Sequence, residues 1–236
     1  MITSNRNDIT KNLTTGEILK NMIIAAIALF INGFGVYLTI QANIGAGPWD
    51  VLNLGISKSF GILYGTASII VSYSILGIDI LMKEPIGVAM FIDAFVVGKS
   101  VDLFNRLNVV PACDSTFKGI AIMLIGLVIM SYTQYAYMAV ALGCGPRDTL
   151  LVALTKRLSK LPIGAISIGL LSTATFVGWL LGGPIGIGTL ICAFGTGPIM
   201  QFAFKSVKFD AAGVAHQRLS KTFKIFFNRL KCTQDC

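Results

Sequence analysis

The chain has 236 residues, 54% of them hydrophobic and 13% charged, with a formal net charge of +8. A water-soluble domain of this length needs far more polar surface, so a soluble enzyme or soluble binding module is excluded. A single histidine, His216, excludes a His-based metal or catalytic centre within the apolar part, and the five cysteines (113, 144, 192, 232 and 236) lack metal-ligand spacing.

In chain order, residues 1–20, "MITSNRNDITKNLTTGEILK", are polar. The apolar run after them is long and has no tidy cleavage site, so a removable signal peptide is not expected. Runs at 21–43, 62–82, 86–104, 117–142, 162–182 and 185–204 reach the roughly 20 residues that cross a bilayer core. They do not alternate apolar and polar residues as barrel strands would. Two segments fall short: 48–60, "PWDVLNLGISKSF", and 146–161, "PRDTLLVALTKRLSKL". The second carries Leu150, Leu154, Leu158 and Leu161 at helical spacing against Thr155, Lys156, Arg157 and Lys160. A helix of about 13 residues rises about 20 Å, too little for about 30 Å of hydrocarbon. Each is therefore a half-helix, re-entrant or interfacial.

Residues 105–116 form an external linker and 205–236 a tail. Within the tail, Leu219, Phe223, Phe226, Phe227 and Leu230 share one helical face, opposed by Arg218, Lys221, Lys224 and Arg229. That pattern suits an anionic cytoplasmic leaflet rather than nucleic acid. Cys232 and Cys236 would be reduced thiols there.

The distribution of positive charge orients the chain. With a cytoplasmic N-terminus and six spans, Arg6, Lys11, Lys20, Lys83, Arg147, Lys156, Arg157, Lys160 and the tail cations fall inside. Lys58, Lys99, Arg106 and Lys118 fall outside. Counting one half-helix as a span spoils this split; counting both restores the second half's cations. The expected location is a bacterial cytoplasmic (inner) membrane, with both termini cytoplasmic.

"GAGPWDVL", Gly45 to Leu52, returns as "GCGPRDTL", Gly143 to Leu150. At offset 98, Gly45, Gly47, Pro48, Asp50, Leu52 and Lys58 match Gly143, Gly145, Pro146, Asp148, Leu150 and Lys156. At offset 99, Gly65, Ser68, Ile69, Pro85, Ile86, Gly87, Ala94, Phe95 and Gly98 match Gly164, Ser167, Ile168, Pro184, Ile185, Gly186, Ala193, Phe194 and Gly197. Three spans per copy is an odd number, so the second copy inserts upside down. The expected fold is an all-α polytopic membrane protein: six transmembrane helices as two inverted three-span repeats, 21–104 and 117–204, each with its half-helix. Secondary transporters and channels use this architecture, though not they alone.

"QANIGAGPWDVLNLGISKSFGILYGTASI", "PIGVAMFIDAFVVGKSVDLF", "GCGPRDTLLVALTKRL" and "LLGGPIGIGTLICAFGTGPIMQF" together resemble the YczE/YyaS/YitT family of bacterial membrane proteins, nearest its YczE branch. The resemblance covers roughly 21–204. It implies an integral membrane protein, often taken for a transporter, and supplies no catalytic residues. The soluble C-terminal domain of many YitT-type members is not part of this sequence.

The motif reads as a helix start: Gly47 as N-cap, Pro48 at the first helical position, Asp50 at the third, where it complements the positive end of the dipole. Gly145, Pro146 and Asp148 repeat it. One reading is a capped helix after a turn and nothing more. The other brings both N-termini to a shared midplane site, where helix ends favour anions and the two aspartates favour protons, cations or amines. A gating role at the two mouths is the third. Trp49 and Arg147 occupy matching positions; interfacial anchoring is preferred for both, with anion binding by Arg147 as the alternative.

Asp93 lies mid-span and matches Cys192, so it belongs to one copy only. It is the leading carboxylate for proton or cation coupling. Lys99 and Asp102 are spaced to pair on one face, and Asp79 is read as interfacial. Asn32, Gln41, Tyr132, Gln134 and Tyr135 either line a polar cavity or join helices. The glycine-rich stretch before Met200 is helix packing, not a nucleotide loop.

The leading expectation is a secondary transporter for a small molecule, working by alternating access. Its expected site is Gly47, Pro48, Trp49, Asp50, Asp93, Gln134, Gly145, Pro146, Arg147 and Asp148, with no metal, no cofactor and no enzymatic activity. Expected partners are the lipid bilayer, a small-molecule substrate with a proton or cation, and a second copy of the chain, but no nucleic acid. The rival is a non-transporting scaffold or accessory protein.

Overall fold

The computed structural model describes residues 15–209. They form eight helices: α1 (Thr15–Gln41), α2 (Pro48–Phe60), α3 (Tyr64–Leu81), α4 (Val88–Leu107), α5 (Thr116–Ala139), α6 (Pro146–Arg157), α7 (Ile163–Leu180) and α8 (Ile187–Ser206). The described residues contain no strand. The polar N-terminal segment to residue 14 and the expected amphipathic tail helix, with His216, Cys232 and Cys236, lie outside the described residues.

Five helices, α1, α3, α5, α7 and α8, are long and apolar enough to cross a membrane. α4 matches α8 at 20 residues, but Asp93, Lys99, Asp102 and Arg106 keep it out of that group. Large apolar side chains point outward along α7 and α8, among them Ile168, Phe176, Trp179, Leu190, Phe194 and Phe202. Such a coat is costly in water and favourable against lipid.

α2 occupies the residues expected of the first half-helix. α6 ends at Arg157, not at residue 161. Leu158 leaves the helical region (φ −99°, ψ 46°) and Leu158–Leu161 close a turn, while Pro162 keeps Leu161 from continuing a helix. Only part of the expected leucine stripe is therefore helical.

α1 and α5 run antiparallel at the centre. Asn21 Nδ2 donates to Val140 O, and Asn32 Nδ2 to Thr133 Oγ1 at 2.9 Å. Further along, Gly35 abuts Gly126, and Gly119 abuts Ala42. Small residues at these crossings let the backbones approach. α4 packs on α1 and α8 on α5; α2 packs on α7 and α6 on α3.

These contacts recur at the repeat offset. Gly188 N donates to Ile44 O at 2.8 Å, and its counterpart Ala89 N to Leu142 O at 3.3 Å. Gly45 sits on Gly186, as Gly143 sits on Gly87. Ser59 Oγ donates to Leu181 O at 2.8 Å, as Arg157 Nη2 donates to Met82 O at 2.9 Å. One contact breaks the pattern. Gly65 on α3 packs tightly against Gly98 on α4. A Cβ placed on Gly164 or Gly197, their counterparts on α7 and α8, would meet nothing within 4 Å among the described residues.

Two polar residues of the spans differ from expectation. Asp102 does not pair with Lys99; its Oδ1 accepts from Gly65 N at 2.7 Å, capping the start of α3. A helix start has free N–H groups, and a carboxylate from a neighbouring helix satisfies them better than an exposed lysine satisfies the carboxylate. Asp79, near the end of α3, is fully buried rather than exposed, and neither carboxylate oxygen has a hydrogen-bond partner among the described residues.

Candidate functional site

Both half-helices begin at one central cavity. Gly47 (φ −60°, ψ 155°) and Gly145 (φ −63°, ψ 155°) are N-caps of almost identical geometry, each followed by proline and neither assisted by a side-chain cap. Val51 N bonds to Gly47 O and Thr149 N to Gly145 O, so each helix starts at its Gly-Pro step. The cavity holds about 440 Å³, within the range of small-molecule sites.

Gly47, Pro48, Trp49, Asp50, Asp93, Gln134, Gly145, Arg147 and Asp148 all line it. Pro146 does not; it is buried behind Gly145. Asn32 lines the cavity as expected of a polar residue in the first span. Gln41, Tyr132 and Tyr135 do not line it. Gln41 binds Asn105, Tyr132 binds Ser206, and Tyr135 meets Phe209 edge to face.

Trp49 and Arg147 overturn the anchoring expectation. The guanidinium carbon of Arg147 lies 5.2 Å from the centre of the Trp49 ring, a cation–π contact that joins the two half-helix starts. Both residues line the cavity between the copies.

The carboxylates are held differently. Asp50 is buried, and its Oδ1 accepts from Tyr64 Oη at 2.7 Å. Asp148 Oδ2 accepts from Gln134 Nε2 at 3.2 Å. Asp93 leans across from α4 to the start of α6. A Cβ on Gly145 would lie 3.0 Å from Asp93 Oδ2 and 3.6 Å from Asp148 Oδ2, so two carboxylates from different copies flank one point. At the matching point, Gly47, the neighbours are Asp50 Oδ2 at 3.1 Å and Cys192 at 3.8 Å. The charge of Arg147 reaches all three aspartates.

Several lining residues were not singled out from sequence. Ser68 and Ser167 face the cavity as a matched pair; a polar residue repeated inside two apolar spans was the available signal. Tyr137 follows Gln134 by three residues and shares its helical face. It lines the cavity, is 1% exposed, and its hydroxyl has no hydrogen-bond partner among the described residues. Tyr64 carried no sequence signal beyond its place at the start of α3.

A family of unknown function, DUF6198, matches residues 19–205. The chain belongs to the DUF6198 family. It is 32% identical over 177 residues to the uncharacterized membrane protein YczE of Bacillus subtilis, covering 74% of this chain and 81% of the relative. It is 30% identical over 169 residues to YyaS of the same organism, covering 70% and 83%, and 28% identical over 183 residues to an uncharacterized protein of Haemophilus influenzae, covering 78% and 83%. The expected YczE/YyaS kinship therefore holds. No solved structure matches the chain. This DUF6198 member is a membrane protein, and its cavity falls inside the matched region.

Proposed function

We propose that this DUF6198 protein is a secondary transporter of the bacterial inner membrane, carrying a small molecule by alternating access and performing no catalysis. Its termini are cytoplasmic. Six helices span the bilayer as two inverted three-span repeats, α1, α3 and α4 against α5, α7 and α8. The single observation that carries the reading is the polar cavity at the joint starts of two half-helices from opposite copies, the arrangement that transporter sites use.

The reciprocal contacts and the antiparallel α1–α5 pair support the inverted relation. The charges of α4 are compatible with a span, because Asp93 faces the cavity and Asp102 is spent on the start of α3. The unmatched glycine contact supplies the gates. Gly65–Gly98, with Asp102, closes the cavity toward the outer face. Gly164 and Gly197 stand apart toward the cytoplasm, and Ser167, Thr196 and Gly197 border the cavity there. In this reading the conformation is inward-open. The outward-open state closes α7 onto α8 at Gly164 and Gly197, with Gln201, the counterpart of Asp102, swinging to the start of α7.

Gly164→Cys with Gly197→Cys, in a chain whose five native cysteines are serine, tests this in native membranes. Alternating access brings the pair to disulfide distance, a Cα separation of roughly 5.5 Å, so oxidant produces an intramolecular cross-link. A non-transporting scaffold keeps α7 and α8 apart, and no cross-link forms.

A further inference from the structure

The charges around the cavity are unequal. Asp50, Asp93 and Asp148 line it against a single cation, Arg147. Each half-helix start contributes roughly half a positive charge, and Asp50 and Asp148, at the third helical positions, sit where they offset it. Arg147 offsets one carboxylate more. With all three carboxylates ionised the surplus is close to one negative charge, and it falls where Asp93 and Asp148 flank Gly145. The matched point in the other copy has Cys192 in place of Asp93, so a single carboxylate, Asp50, stands there.

An independent observation points to a ligand at the same place. The Tyr137 hydroxyl is buried beside this cavity with no hydrogen-bond partner among the described residues, and the charges of Asp93 and Asp148 reach it. A buried hydroxyl without a partner is costly; a donor or acceptor on a bound molecule removes that cost. Among the described residues, no three His, Cys, Asp or Glu side chains converge as a metal site. Val36, Leu127, Met130 and Leu171 supply apolar walls, which suit carbon rather than a bare ion.

We propose that the cavity binds a small organic monocation, its ammonium head held between Asp93 and Asp148 beside the Tyr137 hydroxyl and its body against the apolar walls. The proposal rests on the reading of this cavity as the substrate site. It names a class, amines and quaternary ammonium compounds, and a polarity: the head lies at the start of α6, not of α2.

Thermal shift and equilibrium binding on the purified full chain test it, with benzylamine and tetramethylammonium as probes. Benzyl alcohol, benzoate, sodium and magnesium are the comparisons. The two organic cations should raise the melting temperature in a saturable way, and the comparisons should not. Asp93→Asn and Asp148→Asn should each weaken the cations roughly tenfold or more, as loss of a charged hydrogen-bond partner does. Asp79→Asn, a buried carboxylate change outside the cavity, should leave affinity within about threefold, the spread expected of independent sites; its ligand-free melting temperature, with those of the site variants, separates folding from binding. Stabilisation by benzoate or by sodium alone, no stabilisation by either cation, or full affinity in Asp93→Asn overturns the proposal. Cation binding without the Gly164–Gly197 cross-link would leave this site standing and remove transport. A cross-link with anion binding would do the reverse.

Discussion

Gly45→Ala should lose about 3–5 kcal/mol of stability, enough to leave little folded protein. Two costs combine. Gly45 sits at φ +106°, a conformation that a side chain adopts only under strain. A Cβ there would also lie 2.6 Å from Gly186 N and 2.9 Å from Thr189 Oγ1. The first of these is backbone and cannot rotate away. Gly61→Ala is the matched control. Its φ is +64°, but a Cβ would meet nothing within 4 Å among the described residues, so the loss should be about 1 kcal/mol. Thermal unfolding in nanodiscs measures both; equal losses would mean that the Gly45–Gly186 contact is not tight.

Arg147→Met should cost about 1–2 kcal/mol, between an exposed and a buried ion pair, because Asp50 is buried, Arg147 and Asp93 are half-buried and Asp148 is exposed to screening. It leaves Asp50, Asp93 and Asp148 facing one another with no cation among the cavity-lining residues. It also removes the cation–π contact that ties the half-helix starts together. The double variant Arg147→Met, Asp93→Asn should recover part of that loss, because one of the repelling carboxylates is gone. Thermal unfolding of the single and double variants forms a double-mutant cycle. Strict additivity would show that Arg147 and Asp93 do not interact.

The helices were legible because the strongest local signals, Gly-Pro starts and long apolar runs, are read within one segment. α2 matched its expected residues for that reason, and α6 missed only at its C-terminal end, where Leu158–Leu161 turn ahead of Pro162. Positions matched by the repeat make matching contacts, Gly45 with Gly186 and Gly143 with Gly87, but the repeat alone did not say which residues would meet. What could not be read is pairing across copies. Arg147 and Trp49 each look like an interfacial anchor alone and become partners only when the halves meet. Asp102 looked like a partner for Lys99, yet a free helix start on α3 outcompeted it. Asp79 is charged and near a span end, a pattern that suggests exposure; the packing of α3 buries it. Tyr137 was not singled out at all, because its hydroxyl matters only beside a cavity.

Side-specific labelling of the two half-helix ends tests the account most directly. Phe60 and Leu158 are equivalent positions, and both are exposed. Phe60→Cys and Leu158→Cys, each in the cysteine-free chain, are treated with a membrane-impermeant maleimide in right-side-out and inside-out vesicles. Inverted halves predict that Phe60→Cys reacts only in right-side-out vesicles and Leu158→Cys only in inside-out ones. Labelling of both from the same face would contradict the inverted arrangement, and with it the alternating-access reading built on it.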